Sequence, residues 1–316
     1  MANFTILKQA QVFIVYNNTK YNLDVTEDIK FSQTFTDNTY AQKTLHEPHK
    51  LFNASNIKRA NPADFSFTIP MYEQNDLKVV YDLLVDFKSA TDFTLNQFDL
   101  YIQLPYDLYS ISGCVITNGT FMIEKSENLK LAVSGEGEKL VHYKTSNDRS
   151  SKLGEIALLT QHSRSSNPTH QKVDYTQVQV DNTTLPSIYK ISVELQNKVE
   201  WTENVTVQKV LDIDSSTSGD TVVYPSNFVL KERILAGSIG QYVSDQVNSF
   251  VQTSKTNVPI SISAGKDAQT GFQFNMPSCS FTNRNNVARV FTQSYDWRMN
   301  TNTTDLGNTI INFNNS

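Results

Sequence analysis

Residues 64–71, DFSFTIPM, alternate cleanly, with Phe65, Phe67, Ile69 and Met71 toward one side and Ser66 and Thr68 toward the other. Period two is the mark of a half-buried strand. TGFQFNM (270–276) repeats the pattern, with Phe272, Phe274 and Met276 set against Gln273 and Asn275, and PISISA (259–264) sets Ile260 and Ile262 against Ser261 and Ser263. DLYIQL (99–104) and YSISGCVIT (109–117) read as strands too. Two stretches change period. NDLKVVYDLLVDFK (75–88) predicts a helix with Asn75 or Asp76 as cap and Leu77, Val80, Tyr81, Leu84 and Phe87 on one face. SIGQYVSDQVNSFV (238–251) predicts a second, capped by Ser238, with Ile239, Tyr242, Val243, Val247 and Phe250 as its stripe. Both stripes read as core faces. A polar stretch from about Asp37 to Pro62, through EPHKLFNASNIKRANP, reads as a long loop, of the kind that binds something or is disordered.

The pattern is written twice. The only cysteines, in GCVITN (113–118) and SCSFTN (278–283), are each followed three and four residues on by Thr-Asn. FTDNTYAQKTL (35–45) lies over WTENVTVQKVL (201–211), YNNT (16–19) over VDNT (180–183), and VYDLLVDF (80–87) over VSDQVNSF (243–250). Four windows in one order at nearly one offset predict a duplication, with Cys114 and Cys279 as one core position in two copies. Coincidence between Thr- and Asn-rich segments is the competing reading. The expected organisation is a first β domain over 1–140, a linker or surface arm over 141–170 with a short helix at GEIALLTQH, and a second β domain over 171–316.

Composition narrows the class. The 316 residues are 39% hydrophobic and 19% charged, with a formal net charge of −5. That balance fits a globular chain and argues against a polycation that grips nucleic-acid backbones. No apolar run is long enough for a transmembrane helix, and the start shows neither the basic nor the apolar region of a signal peptide. In a reducing compartment two cysteines read as buried small hydrophobes rather than a disulfide. The Asn-x-Ser/Thr triplets then reflect composition rather than glycosylation.

Chemical motifs are sparse. His46-Glu47-Pro48-His49 superficially resembles a zinc-protease helix, but the spacing is wrong and Pro48 breaks the helix that motif needs. The cysteines form no CxxC pair, and no GxGxxG, Walker A or GxSxG pattern occurs. Acidic pairs such as Asp212 and Asp214 have nothing that converges them. The expectation is no catalytic residue, no metal and no cofactor.

QKTLH (42–46), a polar loop, FSFTIP (65–70) and then an amphipathic helix resemble the bacteriophage tail tube proteins. The resemblance implies a mainly β fold: two tandem β-sandwich or barrel domains of the tail tube type, each with one flanking α-helix. In the members with two tube domains in one chain, three subunits make a pseudo-hexameric ring. It implies self-association into rings and a tube, contacts with other phage tail proteins, genomic DNA passing through the lumen without specific binding, and no membrane. The place implied is the virion tail, after assembly in the host cytoplasm. By the same analogy the loops 37–62 and 203–227 reach the next ring, with His46, His49, Phe52, Lys58, Arg59, Asp214 and Asp220 as stacking residues. Related tail parts (a tube initiator, distal ring or hub) share the domain type. The competing readings are a tandem β-sandwich that binds carbohydrate or a receptor through Tyr40, Phe52 and Trp297, and an enzyme on a double β-domain.

Overall fold

Period-two sequence closed by Asn- and Asp-rich turns folds into long antiparallel hairpins. The computed structural model describes residues 10–26, 29–40, 54–89, 93–124, 126–202, 222–242, 255–287, 291–300 and 310–314. In the N-terminal half the strands are β1 (Gln11–Tyr16), β2 (Thr19–Leu23), β3 (Lys30–Tyr40), β4 (Ala54–Pro70), β5 (Phe87–Ser89), β6 (Thr94–Leu95), β7 (Phe98–Gln103), β8 (Leu108–Ile123), β9 (Lys130–Gly137) and β10 (Lys139–Tyr143). Helix α1 (Lys78–Val85) lies between β4 and β5, and α2 (Ser146–Ala157) and β11 (Thr160–Gln161) follow β10. The C-terminal half holds β12 (Tyr175–Val180), β13 (Thr183–Thr184), β14 (Ile188–Thr202), β15 (Asn227–Tyr242), β16 (Lys255–Gly265), β17 (Gly271–Val287), β18 (Phe291–Met299) and β19 (Ile311–Asn314). The fold is mainly β, and all five stretches read as strands lie on or overlap strands.

The two halves pair alike. β1 joins β2 and β7, as β12 joins β13 and β16. The β3–β4 hairpin leads through β9 to β8, as the β14–β15 hairpin leads through β18 to β17. β8 also pairs β7 and β10, as β17 pairs β16 and β19. Both YNNT and VDNT are two-residue turns with positive φ throughout: Asn17 and Asn18 at 47° and 59°, Asp181 and Asn182 at 53° and 59°. That geometry matches the twist of a hairpin, and Asn and Asp tolerate it best among non-glycine residues.

β8 and β17 are long enough to serve two layers each. One apolar core lies between the layers and runs without interruption from Val12 to Phe313 through both halves. Cys114 and Cys279 sit in it fully buried as free thiols. Phe121 of β8 is the hinge of this core. Its ring meets Tyr81 of α1 at 6.5 Å and Phe272 and Phe274 of β17 at 4.9 and 5.0 Å, all edge-on. α1 lies so close over β8 that a Cβ on Gly119 would come within 2.1 Å of Leu84 Cδ2.

Three local expectations need correction. The first helix is shorter than 75–88: Asn75–Leu77 form a 3-10 turn, α1 ends at Val85, and Phe87 belongs to β5. The expected cap Asp76 instead accepts the Ser165 backbone N–H at 3.1 Å. The second helix fails over 238–242, which continue β15. Leu235, Gly237, Ile239 and Gln241 form a strand alternation there, and two glycines weaken a helix. Its remaining stretch, 243–251, lies outside the described residues. The short helix expected at 154–162 lies earlier, over α2, with Thr145 Oγ1 accepting the Asp148 N–H at 3.1 Å.

Residues 141–170 are tied to the N-terminal half. α2 packs Ile156 against Phe13, Tyr101 and Leu108, β11 runs parallel to β2, and Arg164 forks onto the Asp24 carboxylate, which also accepts Tyr72 Oη at 2.6 Å. Burial pushes the Asp24 carboxyl up, but these hydrogen bonds and the guanidinium charge outweigh it and hold it below the usual range. Phe121→Ala is expected to destabilise the chain by about 3–5 kcal/mol. Because both halves share its contacts, urea unfolding followed by fluorescence and by circular dichroism should shift in one transition.

Candidate functional site

Strand alternation gives every core-facing row an opposite, outward row. Eight strands lie side by side in the order β3, β4, β9, β8, β14, β15, β18, β17, and the join between the halves is the β8–β14 pairing, Asn118–Ile123 against Ile191–Gln196. Their outward rows mix Ser, Thr and Ala with charged side chains. One rung crosses seven strands through paired positions: Thr68, Ala132, Thr120, Glu194, Ala236, Arg298 and Ser280. The next rung is Pro70, Lys130, Met122, Ser192, Ser238, Asp296 and Thr282. Neither rung breaks at the join.

Two cations on this face share one carboxylate. Lys198 and Arg298 both reach Glu232, at 2.9 and 2.8 Å. The acidic groups are more crowded. Asp64 and Glu136 are cross-strand partners on β4 and β9, and burial raises both carboxyls above the usual range. The Trp201 Nε1–H, donated to Glu136 Oε2 at 2.6 Å, draws Glu136 back down without cancelling the burial, and the Asp64 charge adds to the rise.

The join is held by polar groups from both halves. Asn118 Nδ2 donates to Glu194 Oε1 at 2.8 Å across the paired strands. Behind them α1 ends with unsatisfied carbonyls, as every helix does. Arg233 of β15 reaches across to donate to Leu84 O and Val85 O, both at 2.8 Å, and to Asn197 Oδ1 at 2.6 Å. Asn197 Nδ2 in turn donates to Leu84 O and Ile116 O, at 3.2 and 3.0 Å. A cation at a helix C-terminus also opposes the negative end of the helix dipole. The guanidinium lies 4.2 Å from the Phe87 ring centre, and burial lowers its pKa to about 10. Further out, Ala60 N–H donates to Val223 O at 2.9 Å, and Lys139 lies over the Tyr224 ring. The β14–β15 hairpin therefore leans on the N-terminal half.

The sheet is continuous from one half of the chain to the other. The model described as the Bacteriophage Baseplate Tube Protein Family matches residues 2–316. The chain belongs to that family. A search of curated proteins finds no match. As a baseplate tube family member the protein has a structural role in the phage tail or baseplate, with other tail proteins as its partners and the virion tail as its place.

The expected stacking residues are only partly placed. His46, His49, Phe52, Asp214 and Asp220 lie outside the described residues. Lys58 falls on β4. Arg59 is exposed and forms a parallel bridge with Val223. The long loop begins later and ends earlier than 37–62, because residues 37–40 and 54–62 are the paired arms of the β3–β4 hairpin. Their polar composition hides the strand pairing. Trp297, offered as an exposed binding aromatic, is buried at 3%. Tyr40 lies on β3.

Among the described residues no group of three or more His, Cys, Asp or Glu gathers at metal-binding distance, and no helix is long and apolar enough to cross a membrane. His142, His162 and His170 each lie against a tyrosine ring, Tyr109, Tyr21 and Tyr72. The residues that hold the join (Asn118, Glu194, Asn197, Arg233, Trp201 and Glu136) were not singled out for this role by motif. Two signals pointed at them: the repeated Thr-Asn after each cysteine ends on Asn118, and the duplicated window opens on Trp201.

Glu136→Gln keeps an acceptor for Trp201 and removes a charge that the fold disfavours. A carboxyl with its folded pKa raised is less destabilising when protonated, so its contribution is lost as pH rises from the ordinary carboxylate range through the raised value. The variant is expected to raise the urea midpoint at pH 7.5 and to lose that advantage by pH 4, as equilibrium unfolding at the two pH values will show.

Proposed function

We propose that the protein is a ring subunit of the tube within the phage baseplate, built from a duplicated tube domain, with three copies forming a pseudo-hexameric ring around a DNA-conducting lumen. The observation that carries this is the eight-stranded sheet that runs without a break across the join of the two halves. A sheet whose two halves pair alike and join edge to edge can continue by the same step into a neighbour, which removes its exposed edges. Three copies set 24 such strands side by side. At about 4.8 Å per strand the circumference is about 115 Å and the bore about 37 Å between backbones, before strand tilt widens it. Barrels of that size enclose an aqueous channel rather than a packed core.

The Ser and Thr positions of the rungs suit such a lumen, and so does the pairing of Lys198 and Arg298 with Glu232. A sliding polyanion is neither gripped by bare cations nor strongly repelled. The role needs no catalytic group and no cofactor. The hairpin ends within 37–62 and 203–227, with His46, His49, Phe52, Lys58, Arg59, Asp214 and Asp220, are the proposed contacts to adjacent rings. Assembly takes place in the host cytoplasm.

Negative-stain electron microscopy across a concentration series tests the reading, with sedimentation velocity alongside. The expected result is trimeric rings with a sixfold-looking wall and a stain-filled centre, appearing as concentration rises. A chain that remains monomeric throughout overturns it.

A further inference from the structure

β14 opens on a bulge. Ile188 pairs with Gln241 and Lys190 with Gly240, so Tyr189 is the extra residue and its side chain is re-aimed. Gly240 leaves room for it: a Cβ there would come within 2.7 Å of Tyr189 Cζ. The ring meets Tyr242 at 4.7 Å on one flank, and Tyr189 still stands 42% exposed. Just before the bulge Ser187 holds φ at 56°, a left-handed value that is costly for a non-glycine residue, and strain of this kind gathers at ligand sites. Ser187 and Tyr189 line a cleft of about 340 Å³ at the end of β14 away from its hairpin tip. The apolar part of its lining is Ile123 at the end of β8, Val173, Leu185 and Ile191, all buried. Tyr175, the first residue of β12, lines it as well. So do Asp174 and Lys190, which are exposed. Among the described residues neither of these two side chains has an ion pair or a hydrogen bond.

We propose that this cleft binds one N-acetylated hexose unit of a glycan. Tyr189 is a fixed aromatic surface for the C–H face of a sugar ring, with Tyr175 as a second. The two opposite charges narrow the class. An anion would be repelled by Asp174 and a cation by Lys190, while an apolar ligand would strip both of water and give nothing in exchange. A neutral polyol donates hydroxyls to the carboxylate and accepts from the ammonium. The apolar lining takes the acetyl methyl, which a plain hexose lacks. The volume lies at the small end of the range for ligand pockets, about 300–1,000 Å³, and limits the site to a single unit of the chain. The site lies within one copy, so it stands apart from the ring reading.

Isothermal titration and saturation-transfer NMR on the dilute full chain test it, with the N-acetylglucosamine tetramer as probe and a glucose tetramer as control. The probe is expected to bind about tenfold or more tightly than the control, with transfer strongest at the acetyl methyl. Tyr189→Ala and Asp174→Asn are each expected to weaken binding by about tenfold. Asp174→Asn should leave the unfolding midpoint unchanged because its side chain stands in water, and Tyr189→Phe should bind like the natural chain. A disaccharide of N-acetylglucosamine and N-acetylmuramic acid separates two sources: tighter binding than the neutral N-acetylglucosamine dimer assigns wall glycan, weaker binding assigns an uncharged surface polysaccharide, and both support the site. No binding of the tetramer, equal binding of the control, or full binding by Asp174→Asn and Tyr189→Ala overturns it. Binding of free leucine in place of the sugars, a zwitterion that also fits two charges beside an apolar lining, overturns the sugar assignment.

Discussion

Everything on the outward face depends on one contact, the pairing of β8 with β14. It places Phe121 and Val193 as neighbours on the core side and Asn118 beside Glu194 on the polar side. Without it the two hairpin systems would be separate sheets, each with an open edge, and the rungs that span seven strands would break into runs of three and four. The contact is reinforced from behind by Arg233 and Asn197, which supply donors to the last carbonyls of α1. Asp86 N–H caps Asp82 O, and the last two carbonyls, Leu84 O and Val85 O, are satisfied by the other half of the chain, so helix, join and hairpin are fixed as a unit.

This arrangement explains the distribution of charge. Arg233 is tolerated in a poorly solvated place because four oxygen and ring partners surround it, and removal of one partner leaves a buried charge exposed to the full cost of desolvation. The outward cations are instead shared on Glu232 in water, where each pair adds little stability and mainly levels the local potential. The carboxylates of Asp64 and Glu136 carry the opposite strain. They sit near one another on adjacent strands because the wall needs small polar groups there, and the Trp201 indole offsets part of the cost.

Much of the fold was legible in the chain. Period-two runs marked the strands of the core, the repeated windows marked which of them correspond, and the doubled Asn/Asp turns were visible as YNNT and VDNT. What failed did so for physical reasons. The stripe from Ser238 fits a helical face and a strand face equally over five residues, and only its neighbours β14 and β18 decide between them. Phe87 completes the helical stripe of α1 on paper, yet the chain is extended from Asp86 onward. The hairpin arms at 37–40 and 54–62 carry no apolar alternation that would mark them as strands. The outward face was nearly silent, since Thr, Ser and Ala interspersed with single charges form no motif. Its residues become meaningful only when the pairings align them into rungs.

The distance along the chain between the partners in the join also has a bearing on biosynthesis. Asn118 and Glu194 are 76 residues apart. At roughly 5–20 residues per second, a ribosome finishes β8 several seconds before β14 emerges. During that interval Phe121 and the outer edge of β8 have no covering strand from their own chain, and crowded nascent chains offer the same β14 from a neighbour. α2 and the Asp24–Arg164 clasp tie part of the intervening segment to the N-terminal half, which shortens the loop that the pairing has to close.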